Sequence, residues 1–405
     1  YNRPKAARMI GANKGLVKVT WARYMSAMSK VMSRCRWYSS GKKCSQVAND
    51  VAAETLRETK EALLAGREPT VICSDIDAMD GSGSKLMRQC ELAFTLEMFS
   101  DEDPEDIMAA RKETMNTTLI GTGGLKVKTT TERVSGEGGT TALNGPIAKL
   151  GPFMTLIFAG ASEAEAYKRS GLIQGDDSYL VNIDPVKLAK TYANLGYTTK
   201  TMVCTPTNGN VPEYLGRKYS PDVWQGDPSS CSDPCRQLGK LFTTTQAVDI
   251  ADDAACDKVA IEKARAYWLT DSETHLLGDW AAKVLTLSNF DPVEWRSAMS
   301  STGVPLEHWN AQHPKEHQYP NVDKKWTIDL VRAQMPGIHD GMLLDHIQKA
   351  TTIKELRNLP VAWFAPPAKV DAPTRVGDEF IMPEGCDADR AIRLANTDIG
   401  PMTLE

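Results

Sequence analysis

Two acidic stretches hold the residues whose types and spacing could do chemistry. Leu172 to Val181 carries Gly175-Asp176-Asp177 between two apolar, β-prone runs, the pattern of a hairpin that lifts adjacent carboxylates to its turn. Adjacent carboxylates repel, and a cation relieves the repulsion; hard oxygen ligands on a tight turn suit Mg²⁺ or Mn²⁺. Taken alone, the tripeptide fits a solvated Asp-rich turn equally well. The second stretch, Thr70 to Ser82, runs from an apolar strand pattern into Asp75, Asp77 and Asp80. Asp75 falls at or near the strand end and Asp80 in the following turn. If the two strands are neighbours in one sheet, Asp75 and Asp176 meet. A pair of that kind can hold two metal ions roughly 3.5–4 Å apart, activating an attacking hydroxyl and neutralising a leaving pyrophosphate.

Other stretches could serve such a site. Ser135 to Asn144 is a glycine-rich segment with hydroxyls and an Asn, leading into a helix predicted over 147–161. Exposed amides and hydroxyls at a helix start suit sugar and phosphate, although a glycine hinge reads the same way. Lys5 and Arg8 belong to a basic arm that could grip a triphosphate or a template backbone, or merely form a solvated face. Gly81 to Lys85 lacks the spacing of a phosphate loop and reads as strand-to-helix punctuation.

The elements that must position these residues follow from periodicity. Helices are predicted over 17–32, 45–64, 86–99, 101–111 and 185–194, and a short hairpin over 211–219. From about Gln225 the pattern is mostly helical with Pro and Gly breaks, and from Pro366 it is rich in Pro, Asp and Gly.

At 405 residues the chain is long enough for two or three subdomains with a sizeable core. Its net charge of −5 argues against a protein that coats nucleic acid. The first 50 residues nonetheless hold eleven Lys and Arg against one acid, Asp50, a local phosphate-attracting surface. Nine scattered cysteines point to a reducing compartment. No apolar run approaches the eighteen or so residues of a membrane helix. Opening on Tyr1 inside a basic segment suggests a piece of a longer protein. His308, His313 and His317 cluster around Pro314 without a regular ligand frame, so surface histidines are favoured over a zinc module.

Taken in order, Asp75-x4-Asp80, Ser135-Gly136-x3-Thr140-x3-Asn144 and Gly175-Asp176-Asp177 resemble motifs A, B and C of the RNA-dependent RNA polymerases of positive-strand RNA viruses. Lys5 with Arg8 is similar to the basic motif F, Lys200 falls where the motif D lysine would be, and Glu213 to Tyr219 looks like motif E. Leu-Gly-Arg in that last stretch leans toward nodavirus-like or tombusvirus-like replicases.

The resemblance implies an α+β right-hand polymerase, with an antiparallel palm sheet, partial fingers and a mostly helical thumb. It places partial fingers with motif F at 1–70, palm at 71–100, a fingers insertion at 101–130, palm again at 131–222, thumb at 223–365 and a tail at 366–405. Asp75 and Asp176 would be the main ligands of two Mg²⁺ or Mn²⁺ ions, with Asp177 assisting. Asp80 and Asn144 would recognise the ribose 2′-hydroxyl. Ser135, Gly136 and Thr140 would line the nascent base pair and template, Lys5 and Arg8 would hold the triphosphate, and Lys200 would donate a proton to pyrophosphate. Glu137 adds an acid beside the site, whereas Asp77 reads as a solvated surface residue.

The implied partners are an RNA template, nascent RNA and ribonucleoside triphosphates, with other replicase subunits or host membranes reached through segments outside this chain. The implied location is the host-cell cytoplasm, in membrane-associated replication complexes. Two alternatives stand beside this reading. A reverse transcriptase-like polymerase usually has an aromatic gate in place of Asp80 and an aromatic residue before the paired aspartates, where this chain has Gln174-Gly175. A non-catalytic RNA-binding scaffold would use only the basic first fifty residues.

Overall fold

The structure is a computed structural model. It describes residues 15–120, 126–134, 136–241, 249, 251–288, 320, 324–334 and 339–359, with the backbone of 374–376 and 379–381. Lys5, Arg8, Ser135 and the three clustered histidines lie outside the described residues.

A four-stranded antiparallel sheet organises the first half. Its strands are β1 (Val71–Ile76), β4 (Leu172–Gln174), β5 (Asp177–Val181) and β6 (Thr199–Cys204), in the order β4-β5-β1-β6. Beyond β4, Tyr38 adds a parallel bridge to Ile173, covering the edge with paired backbone. A separate two-stranded ribbon joins β2 (Thr118–Ile120) to β3 (Lys126–Lys128). The predicted hairpin over 211–219 forms as β7 (Glu213–Tyr214) and β8 (Arg217–Tyr219), and β9 (Ser230–Ser232) extends it.

Strand alternation sends successive side chains to opposite faces, so β1 contributes to two cores. Ile72 and Ile76 pack with Ile173 and Leu180 under α1 (Gly15–Met32), α5 (Thr140–Phe158) and α7 (Pro185–Asn194). Val71, Tyr179 and Val181 face the other way, against Val47 and Val51 of α2 (Cys44–Leu64) and the tyrosines of the β7–β8 hairpin. Each fully buried Ile, Leu or Val contributes about 1.5–3 kcal/mol relative to exposure, so a shift of register by one residue would be costly.

The remaining helices of this half are α3 (Lys85–Met98), capped by the Ser84 side chain, α4 (Pro104–Lys112), capped by Asp103, and α6 (Glu163–Arg169). The predicted helices over 17–32, 45–64, 86–99 and 185–194 match α1, α2, α3 and α7 closely. The helix predicted over 147–161 starts earlier, at Thr140, despite Pro146 and Pro152 inside it. Thr140 and Asn144 therefore sit on the first turns of α5 and not on a loop. Tertiary contacts make up for the hydrogen bonds that the two prolines remove: Tyr192 Oη donates to Ala148 O at 2.6 Å, and Leu143, Ile147 and Leu156 are buried.

The second half is helical, with α8 (Pro234–Leu238), α9 (Asp253–Asp271), α10 (Leu277–Leu287), α11 (Lys325–Gln334), α12 (Asp340–Lys349) and α13 (Ile353–Arg357). They enclose a separate core built around Trp280, Ala281 and Val284. Arg217 keys this unit to the sheet. Its Nη1 donates to both carboxylate oxygens of Asp271 at 2.7 and 2.8 Å, and Asp271 also accepts from the Ser232 amide at 2.8 Å. Both partners are buried, so removing either would strand a charge.

Candidate active site

Gly175 and Asp176 form the two-residue turn that joins β4 to β5, with Gln174 and Asp177 as the closing pair. Gly175 has φ +61° at the first central position, where a type II′ turn needs glycine. The tight turn fixes the register of everything that follows.

That register assembles the site. Asp75 stands opposite Asp177 across the β1–β5 ladder and opposite Lys200 across the β1–β6 ladder. Residues directly opposite in an antiparallel pair project from the same face, so Asp177, Asp75 and Lys200 form a row across three strands. Asp176 lies one residue nearer the tip, its backbone O accepting from the Ile76 amide at 3.3 Å. The row borders a cavity of about 320 Å³ between the sheet and the β7–β8 hairpin, where Cys73, Glu213 and Tyr214 also line the wall.

The electrostatics mark the site as strained toward binding a cation. Burial first, then the negative charges of Asp176, Asp75 and Glu213, push the Asp177 carboxyl up to about 7. A divalent ion would offset that mutual repulsion, so the donor set suits one. Among the described residues, no three His, Cys, Asp or Glu side chains converge into a ready-made metal shell. The chain supplies facing carboxylates with open positions beside them.

Lys200 Nζ reaches Asp77 Oδ1 at 2.6 Å, and this hydrogen bond raises the lysine pKa. Asp77 is exposed, as the solvated reading expects, but it also holds Lys200. Periodicity gave no signal for this contact, because Asp77 lies just past the end of β1.

The second cluster is also in place. Asn144 Nδ2 donates to Asp80 Oδ1 at 3.0 Å, joining the turn after β1 to the start of α5. Thr140 Oγ1 donates to Glu137 O at 3.0 Å and so closes the turn ahead of the helix, while Gly136 lies in the preceding turn, where the Glu137 amide donates to Val134 O at 2.8 Å. Gly139 must be glycine for a different reason: a Cβ there would lie 2.8 Å from Trp21 Nε1 and 3.2 Å from Glu137 Oε1. Glu137 is buried and accepts from Trp21 Nε1 at 3.0 Å, so this acid faces inward and not toward a ligand. Sequence reasoning missed Glu213 as a neighbour of Asp177; its only sign was its place at the start of the hairpin that covers the sheet.

No protein-family model matches the chain. It is 25% identical over 350 residues to the RNA-directed RNA polymerase of Greasy grouper nervous necrosis virus, covering 86% of this chain and 33% of that protein. Identity to the RNA-directed RNA polymerase of Pieris rapae virus is 22% over 373 residues, covering 90% of this chain and 33% of the other. The chain thus spans about a third of the length of the curated relatives it matches. Among solved structures, the RNA-dependent RNA polymerase of a human picobirnavirus superposes with a TM-score of 0.52 at 13% identity, covering 86% of this chain and 59% of that one. An insertion-loop deletion mutant of a human picobirnavirus polymerase gives the same TM-score at 15% identity, covering 78% of this chain and 59% of its own. The chain has the right-hand polymerase fold, and in sequence it resembles nodavirus RNA-directed RNA polymerases over most of its length.

Proposed function

We propose that this chain is the catalytic part of a viral RNA-directed RNA polymerase, joining ribonucleoside monophosphates to an RNA 3′-hydroxyl on an RNA template. The observation that carries the reading is the register that sets Asp177 and Lys200 on either side of Asp75. A cavity opens beside the row, lined by Asp75 and Asp177 from two of the acidic motifs, by Lys200 and by the β7–β8 hairpin.

Asp75, Asp176 and Asp177 would hold two Mg²⁺ or Mn²⁺ ions, which supply charge neutralisation at the attacking and leaving oxygens. The remaining work falls to the chain's own side chains. Lys200, kept protonated by Asp77, is placed to give its Nζ proton to the departing pyrophosphate. Asp80 and Asn144, hydrogen-bonded to each other across the turn and α5, are placed to recognise the ribose 2′-hydroxyl. Gly136 and Thr140, with Ser135, would line the nascent base pair and template. Lys5 and Arg8 serve the triphosphate. On this reading the enzyme works in the host-cell cytoplasm, in membrane-associated replication complexes beside other replicase subunits. Among the described residues, no helix is long and apolar enough to cross a membrane.

The test is template-dependent incorporation of ribonucleotides by the chain with Mg²⁺ or Mn²⁺, set beside the variant Asp176→Ala. Incorporation by that variant at the normal level overturns the proposal. A preference for deoxyribonucleoside triphosphates would favour the reverse transcriptase-like reading instead.

A further inference from the structure

Behind the Asp80–Asn144 pair lies a group of five buried charges that the proposed reaction does not use. Glu91 of α3 is its hub. Arg88 Nη1 donates to Glu91 Oε2 at 3.0 Å, Arg111 Nη2 donates to the same oxygen, and Arg133 Nη2 donates to Oε1. Arg111 and Arg133 then each reach Glu137 Oε1 at 3.5 Å. All five side chains are at most 5% exposed. Three guanidiniums against two carboxylates leave one net positive charge in the interior. Burial works against the Glu91 carboxylate, and Arg133, Arg88 and Arg111 outweigh it, holding its pKa below the ordinary range.

Replacing buried ion pairs with apolar side chains of similar volume is often neutral or stabilising, so stability alone is weak grounds for such an arrangement. What the cluster does is fix segments in place. The Arg133 amide donates to Asp80 O at 2.7 Å, so the residue whose side chain is clamped by Glu91 also holds the backbone of the ribose-pairing aspartate. Arg88 Nε donates to Thr131 O, fastening the same strand of chain from its other side. Glu137, at the far end of the cluster, forms the turn before α5: its carbonyl accepts from the Thr140 amide at 3.2 Å. Asp80 and Asn144 arrive from different elements, and the cluster is bonded to the backbone beside both.

We infer that Glu91 is a positioning residue for sugar selection: through Arg133 and Glu137 it sets Asp80 against Asn144. The inference rests on the polymerase reading for its substrate, but not for its geometry. A carboxylate bound to three guanidiniums has little rotational freedom, and Arg forks impose direction as well as charge. Loosening the clamp shifts the acceptor and donor that meet the 2′-hydroxyl, while leaving the facing carboxylates of Asp75 and Asp177 on their ladder.

Two measurements on the full chain test this with Glu91→Gln and with the charge-preserving Arg133→Lys. The first is the ratio of kcat/KM for ribo- over deoxyribonucleoside triphosphates, which does not depend on what fraction of a preparation is folded. Sites that hydrogen-bond a substrate hydroxyl discriminate strongly, and a fall of about tenfold or more in the ratio is expected for both variants. The second is amide hydrogen exchange. The Arg133 amide is expected to lose protection in both variants while the amides of β1 keep theirs. A ratio within about twofold of the unsubstituted chain overturns the inference and leaves the polymerase reading standing. Absence of incorporation by the unsubstituted chain removes that reading, and exchange then decides the clamp: unchanged protection at Arg133 overturns it. If Glu91→Gln fails to fold, Arg133→Lys carries both measurements.

Discussion

The molecule handles charge in opposite ways at two places in its first half. On the sheet, Asp75, Asp176 and Asp177 share one sign, and burial together with that like charge pushes the Asp177 carboxyl up to about 7. Behind the Asp80–Asn144 pair, Arg88, Arg111 and Arg133 alternate with Glu91 and Glu137 in the buried interior. The first arrangement has electrostatic strain that a cation ligand can relieve, and the second is satisfied by the protein itself. Sites built to bind store unfavourable charge, whereas sites built to position use it up.

Substitutions sharpen or break that contrast. The largest effect is expected for Asp75→Ala, which should lower incorporation about 10³-fold or more with little loss of thermal stability. A parallel fall in melting temperature would mean that Asp75 is structural. Glu91→Ala should do the reverse, costing about 3–5 kcal/mol in denaturant unfolding because three guanidiniums lose their common partner. A loss under 1 kcal/mol would show that the cluster relaxes or takes in water.

Lys149 of α5 is an intermediate case. Its Nζ donates to Tyr167 O at 3.1 Å and to Ser170 Oγ, and it lies 4.9 and 4.6 Å from the Trp37 and Tyr167 ring centroids. Burial pushes its pKa from 10.5 down to about 7. The unfolded chain then binds more protons than the folded one between those values, so stability should rise with pH across that window. The gain should be on the order of 4 kcal/mol, and Lys149→Met should abolish it. Unfolding midpoints of the two proteins from pH 7 to pH 10 check the sign.

Asp177→Asn, by removing one of the facing charges, should stabilise the metal-free chain by about 1 kcal/mol in calorimetry. Destabilisation would mean that the carboxylate's hydrogen bonds outweigh its repulsions. The smallest effect belongs to Asp77→Ala. Its ion pair with Lys200 is exposed on both sides, so the melting temperature should hardly move. Catalysis should nonetheless lose rate at alkaline pH earlier than the parent, as Lys200 gives up the proton its partner helped retain.

Much of this was legible in the chain before folding. The turn chemistry of Gly175, the apolar alternation on either side of it and the strand run before Asp75 forecast two neighbouring strands with carboxylates at their ends. The register was not legible. Asp176 and Asp177 are adjacent, and only the closing of a two-residue turn at Gln174 and Asp177 decides which one lies opposite Asp75. The buried cluster was hidden for a different reason. Arg88, Glu91 and Arg111 occur in amphipathic helices where charged residues ordinarily face water, and burial is a tertiary outcome. The start of α5 was misplaced because the glycine-rich lead-in and Pro146 argue locally against a helix that packing sustains.

The hairpin has a consequence for how genes of this type can change. Side chains alternate along β5, so Asp177 and Tyr179 share one face while Ser178 and Leu180 share the other. A point mutation in this stretch alters one contact. Insertion or loss of a single codon between Ile173 and Tyr179 would invert the strand, turning an aspartate toward the core of Ile72 and Leu180 and a tyrosine out of its own. Related genes should therefore hold the length of this stretch as firmly as they hold Gly175, Asp176 and Asp177 within it.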